Sequence, residues 1–192
     1  MSISDSEIIE SIRKGAKREF ARLIDRYKDK GMTLAMRMLK HREDAEEALQ
    51  DAFIRAYNAL DKFEGAAKFG TWFYRILYNV CLTKLSGRKE EYQSIEYEDE
   101  NSYDAIDPMA VTAADSDYEQ KEIIAQMKLI IVAMPEKYRT LLSLFYFQEL
   151  NHQEICDVTK LPLGTIKTQL FRARVILRQK LLKELQQESV QI

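Results

Sequence analysis

The 192-residue sequence predicts an all-α protein: two helical domains joined by a flexible acidic linker. Three observations carry this. Apolar residues recur at spacings of three and four through residues 4–87 and again from about Asp117 to the C-terminus, the period of helices with one buried face. Only six glycines and three prolines punctuate the chain, which suits long helices with few turns. Between the periodic stretches, residues 88–116 lose all periodicity, and 88–119 hold eleven Asp and Glu against Arg88 and Lys89. That composition suits a linker. The expected divisions are therefore 1–87, 88–116 and 117–192, with neither internal repeat nor useful strand pattern.

In the first domain, Ser4 and Glu7 form a capping-box pattern ahead of Ile8, Ile9 and Ile12. Gly15 marks a break. Ala16, Phe20, Leu23, Ile24 and Tyr27 trace the next helix, which Gly31 is expected to interrupt before Leu34, Ala35, Met38 and Leu39. The clearest period follows in helix 44–61, with Ala45, Ala48, Leu49, Ala52, Phe53, Ala56, Tyr57 and Leu60 on one face. A fourth helix is expected after Gly70-Thr71, burying Trp72, Phe73, Ile76, Leu77 and Val80. The second domain reads as a four-helix unit, approximately 117–133, 136–148, 152–159 and 163–186, with Pro135 at a first turn.

The last two of these helices read as a helix-turn-helix. Asn151 is a good N-cap, with Glu154 completing a capping box. Ile155 and Val158 point inward, and Pro162 stops the first helix or sits in the turn. The second helix, starting near Gly164-Thr165, carries Ile166, Leu170, Ala173 and Leu177 on one face. Lys167, Thr168, Arg172 and Arg174 lie opposite, followed by Arg178, Lys180 and Lys183. From Lys160 to Lys183 there are seven basic residues and no acidic one, in a protein of net charge −2. Such a helix can insert its first turns in a major groove while its arginines hold phosphates.

Other chemistries find no support. Cys81 and Cys156 have no ligand-spaced neighbour, so no metal site is expected; His41 and His152 are isolated and read as surface or capping residues. A Gly-rich phosphate loop and a nucleophile–base pairing are both missing, so neither enzyme nor cofactor is expected. Without a leader or an apolar run of membrane length, the protein is expected to be cytoplasmic, with no membrane insertion.

Two segments of the first domain carry more than packing requires. Helix 44–61 turns Asp44, Glu47, Gln50, Asp51, Arg55 and Asn58 away from its Ala-rich stripe. The loop Phe63-Glu64-Gly65-Ala66-Ala67-Lys68-Phe69 then leads into an aromatic cluster at residues 69–78. Tyr74 and Tyr78 are expected off the core face, with Arg75, Asn79 and Lys84 nearby. Rings beside cationic and amide groups suit unstacked bases; packing of this helix on its neighbours is the alternative.

Taken together, Asp44–Tyr57 with Leu60-Asp-Lys-Phe63, Phe69-Gly-Thr-Trp-Phe-Tyr-Arg-Ile76 with Asn79, and Leu161–Arg174 resemble the motifs of a two-domain extracytoplasmic-function (ECF) sigma factor of bacterial RNA polymerase. Met134–Arg139 resembles the family's link before the reader unit. The resemblance covers nearly the whole chain and implies a protein that binds core RNA polymerase, directs it to promoters and helps melt the −10 region. Asp44, Glu47, Gln50, Asp51 and Arg55 resemble the surface gripping the polymerase. Phe63, Lys68, Phe69, Tyr74, Tyr78 and Asn79 fall in the region that takes a flipped −10 base. Thr165, Lys167, Thr168, Phe171 and Arg172 match positions meeting the −35 element, with Arg174 a phosphate contact. The family further implies an anti-sigma factor that clamps the domains, burying the 44–61 face and helix 136–148, whose Leu141, Leu144, Phe145 and Phe147 exceed one buried stripe; packing within the domain is the alternative. It also suggests that linker 88–116 threads a basic channel in polymerase. Two departures stand out. Gly65–Lys68 lacks the polar and acidic residues common there, and Lys167 replaces a common arginine, whose fork contact an ammonium cannot reproduce. The rival from another class is a helix-turn-helix regulator that recruits polymerase without melting DNA.

Overall fold

The computed structural model describes residues 3–89 and 126–189, with side chains described over 3–87 and 126–183. The expected linker 88–116 and the expected helix start at 117 lie essentially outside the described residues. Those described form helices and no strand. They are α1 (Asp5–Arg13), α2 (Phe20–Leu39), α3 (Arg42–Asn58) and α4 (Phe69–Lys89), then α5 (described over 126–133), α6 (Glu136–Leu142), α7 (His152–Thr159) and α8 (Leu163–Ser189).

Local chemistry fixes most boundaries. The Ser4–Glu7 and Asn151–Glu154 capping boxes both form, satisfying orphan N–H groups at the starts of α1 and α7. Gly15 takes φ 105° between α1 and a 3₁₀ turn. α7 ends on Lys160 in the left-handed conformation, φ 62°, so the chain has already turned before Pro162. α6 runs straight into a π-helical turn at Ser143–Phe147, where the sequence predicted one helix through 148.

Gly31 does not interrupt α2, which is continuous for 20 residues. It is buried where α3 crosses; a Cβ there would lie 2.7 Å from Leu49 Cδ1. This glycine serves close approach, and the gain in packing outweighs its poor helix propensity. Gly70 likewise lies inside α4 rather than before it, where a Cβ would sit 2.9 Å from the Tyr27 ring. Ala45, Ala48, Ala52 and Ala56 are fully buried, letting α3 lie close on α2 and α4. The C-terminal core forms around Ile131, Leu142, Leu144, Ile155, Val158 and Ile166.

The two domains touch. α4 packs on α7, and α2 on α6 and the π turn. No helix among the described residues is long and apolar enough to cross a membrane.

Candidate functional site

Three surfaces emerge from this frame. The first is the outer face of α3. With its alanine stripe turned inward, Glu47, Gln50 and Arg55 are exposed and Asp44 and Asp51 half-buried. Arg55 pairs with Asp51 one turn earlier at 2.8 Å, and Lys84 of α4 reaches Glu47 at 2.8 Å. Both are surface pairs and add little to stability.

The second surface is the 63–69 loop with the first turns of α4. The Arg13 guanidinium donates to the carbonyls of Leu60 (3.0 Å) and Phe63, anchoring the loop's entry. Gly65 has φ 76°, which suits glycine. Phe63 is half-buried, its ring 5.1 Å from Trp72 and 5.9 Å from Phe69. Lys68 is largely exposed and Asn79 exposed, but Phe69 and Tyr74 are buried, each 2% exposed. Tyr74 therefore does not stand off the core face. Its ring packs on Tyr27 and Phe73, and burial, with Glu149 and Asp5 nearby, raises its phenol pKa. Aromatic density around Tyr27 draws the ring inward, because two neighbours already form the pocket it fills. Tyr78 is half-buried, with its pKa also raised chiefly by burial.

The third surface is the outer side of α8. Ile166, Leu170, Ala173 and Leu177 are buried, at most 5% exposed, which turns Lys167, Thr168 and Arg172 fully outward and leaves Thr165 and Phe171 half-buried. Arg174 behaves differently: its guanidinium lies 4.6 Å from the Phe145 ring centre and 5.9 Å from that of Tyr146, and its Nε is buried without an acceptor. It stacks back onto its own domain. The surplus apolar residues of 141–147 find partners in the same way: Leu141 and Leu144 are buried, Phe145 packs beneath Arg174 and beside His152, and Phe147 lies beneath Arg37. Packing within the chain accounts for all four. Cys81 is buried, which pushes its thiol up to about 12, and Cys156 is half-buried. No metal-ligand cluster occurs among the described residues.

Residues 23–91 match the model of Sigma-70 region 2, and residues 124–177 that of Sigma-70 region 4. The ECF RNA polymerase sigma factor SigW of Bacillus subtilis is 36% identical over 90% of this chain and 94% of its own length. The chain belongs to the ECF sigma factors. The sigma-H factor of Pseudomonas aeruginosa is 32% identical over 88% of the chain and 90% of its own length. Among solved structures, the sigma factor RpoE of Bartonella quintana in complex with the anti-sigma factor NepR superposes with a TM-score of 0.63, at 21% identity over 86% of this chain and 98% of that one. CnrH in complex with the cytosolic domain of CnrY gives 0.61, at 18% identity over 91% and 94%. As a sigma factor, the chain directs RNA polymerase to promoters. A region 2 match that spans α3 and α4 argues against a regulator built on a helix-turn-helix alone.

Several residues at the contact between this sigma factor's domains carry no local sequence signal. Arg37, Arg139, Ser143 and Gln148 are all buried there. Glu154 was legible as a capping residue, but its bond to Lys68 was not.

Proposed function

We infer that three surfaces divide the work of initiation. The α3 face, through Asp44, Glu47, Gln50, Asp51 and Arg55, grips core polymerase. The exposed side of α8 reads the −35 duplex: Thr165, Lys167, Thr168 and Arg172 meet the major groove, with Phe171 bracing the helix at the groove edge. Arg174 adds a phosphate contact if it swings off Phe145. The 63–69 loop and α4, through Phe63, Lys68 and Asn79, receive a −10 base that has left the stack, with Phe69, Tyr74 and Tyr78 forming the aromatic wall behind them.

Energetics favour this division. Extracting a base costs a few kcal/mol, and stacking on rings returns ~1–3 kcal/mol per base. One pocket thus about balances one flipped base, and a longer bubble needs the polymerase as well. The protein supplies recognition rather than a chemical step of its own, and it works where the polymerase does. An anti-sigma protein that holds the two domains together is consistent with the fold.

The observation that carries this reading is the burial pattern of α8, which presents Lys167 and Arg172 on a helix whose other side is core. Run-off transcription with core polymerase tests it. Alanine at Lys167 and Arg172 should depress initiation only where a −35 element is needed. Alanine at Asn79 should depress it at every promoter that must be melted. Normal initiation by both variants would reject the assignment.

A further inference from the structure

α1 belongs to none of the three surfaces, and it lies before residues 23–91 that match Sigma-70 region 2. It is nonetheless tied down at both ends. At its start Asp5 accepts from Arg26 and from the Tyr27 hydroxyl of α2, and Arg26 Nη2 donates to the Ile3 carbonyl at 2.8 Å. Ile8, Ile9 and Ile12 are buried between these ends. At its last turn Arg13 crosses to a part of the chain 47 to 50 positions away. One nitrogen, Nη2, donates both to the Leu60 carbonyl, at 3.0 Å, and to the Phe63 carbonyl.

This bridge is what Arg13 does in the fold. Its neighbour Lys14 pairs with Glu10 one turn back, whereas Arg13 has no ion-pair partner among the described residues. Its charge is directed at two carbonyls, and hydrogen bonds from a charged donor are the stronger kind. Leu60 and Phe63 close a 3₁₀ turn, in which the Phe63 N–H donates to the Leu60 carbonyl at 3.1 Å. Arg13 therefore fastens both ends of that turn to a separate helix.

Past Phe63 the chain has little of its own to hold it. Residues 64–67 make no backbone hydrogen bond among the described residues; the next runs from the Trp72 N–H to the Lys68 carbonyl at 3.1 Å. Gly65, Ala66 and Ala67 carry no side-chain donor or acceptor. A base meeting these three residues meets main-chain N–H and C=O groups, and their aim follows the course of the loop. That course is set at the entry by the Arg13 bridge and by the Phe63 ring against Trp72, and at the exit by the first turn of α4.

We propose, resting on the assignment of the 63–69 loop to the −10 element, that Arg13 is a positioning residue for −10 recognition: it fixes the entry of the loop through the Leu60 and Phe63 carbonyls and so makes α1 part of the apparatus that chooses the base. A contact that only stabilises the fold scales initiation equally whichever base stands in the −10 element. A positioning contact changes the ratio between bases.

Single-round transcription by holoenzyme carrying the full chain reads that ratio, on four promoters that differ only in the −10 base wild type discriminates most. Arg13→Met keeps an unbranched stem and removes the donors. It should narrow the ratio of best to worst base about fivefold, the order of one hydrogen bond, with polymerase binding and the dependence on the −35 element unchanged. Arg13→Lys returns a donor nitrogen to the two carbonyls and should recover most of the ratio. Gly65→Val disturbs the loop directly, because φ 76° disfavours a β-branched residue although a Cβ there meets nothing within 4 Å. It should narrow the ratio as well. An unchanged ratio in Arg13→Met, or an Arg13→Lys ratio no wider than that of Arg13→Met, would overturn the proposal. If Gly65→Val narrows the ratio while Arg13→Met does not, the loop keeps its assignment and the role of Arg13 falls. An unchanged ratio in both variants removes the loop itself from −10 recognition.

Discussion

Lys68 and Lys167 are both exposed lysines near the start of a helix assigned to nucleic acid, and the fold uses them differently. Lys68 is committed across the domain boundary to Glu154 at 3.1 Å. Lys167 has no ion-pair partner among the described residues and faces solvent beside Thr168 and Arg172. The surroundings differ too. Behind Lys68 stand Phe69, Phe73 and Tyr74, all buried in the core of the first domain, whereas behind Lys167 a single buried stripe leaves the whole outer side of α8 available. A duplex reader can be displayed ready-made, because the groove it enters already exists. The surface proposed for unstacked bases draws on rings and amides that can also find partners inside the protein, as Phe69 and Tyr74 do.

Four experiments would break or sharpen this comparison. The largest effect is expected away from both lysines, on the α3 face. Glu47→Lys with Asp51→Lys should weaken core-polymerase binding by on the order of 100-fold, since like charges brought together cost several kcal/mol. The fold should survive, because each residue makes only a surface pair, to Lys84 and Arg55. Pull-down of polymerase beside a thermal melt measures both, and normal pull-down would reduce this face to a solvated one.

Next comes the reader helix. Arg172→Ala with Lys167→Ala should lower −35-dependent initiation by roughly tenfold or more, because a base-edge contact is worth ~1–3 kcal/mol. Initiation from promoters that need no −35 element should hardly change. A uniform loss across promoters would instead mark phosphate contacts.

For the α4 surface, Asn79→Ala should slow open-complex formation by about fivefold, the value of one hydrogen bond of ~1 kcal/mol. Permanganate reactivity of the −10 thymines on supercoiled templates reads this directly. Polymerase binding should be unaffected, and full reactivity would remove Asn79 from the pocket.

The smallest effect is a pH dependence at the contact between the two domains. Burial opposes ionisation of Glu154, but hydrogen bonds from Asn151, Lys68 and Thr71 and the Lys68 charge outweigh it and hold the carboxyl below its ordinary 4.5. A carboxyl with a folded pKa below its unfolded one adds stability above the unfolded value and loses it as pH falls through the folded one. The melting temperature should therefore drop slightly below pH 4.5. In Glu154→Gln this component should be gone, while the capping box keeps a side chain able to fill it.

Much of the molecule was legible in the sequence because its determinants are local. Capping boxes at Ser4 and Asn151 set two helix starts within one turn of the chain. Helical spacing of Ala45, Ala48, Ala52 and Ala56, and of Ile166, Leu170, Ala173 and Leu177, named the buried faces, and by subtraction the exposed ones. The motifs of the family run along these helices and the start of α4 and could be read in the same pass. Gly31 misled because its role depends on Leu49 of another helix, and local propensity carries no record of a crossing point. Tyr74 misled for a related reason: its place depends on where Tyr27 and Phe73 come together. The contact between the two domains was invisible altogether. Its bonds join Arg37 to Ser143, 106 positions apart, and Gln148 to Lys30, 118 apart, and they use residue types that would serve as well on any polar surface. Periodicity decides which side of a helix is buried. Which distant polar groups meet once those sides are packed is decided only by the tertiary structure, since the meeting depends on how whole domains are set against one another.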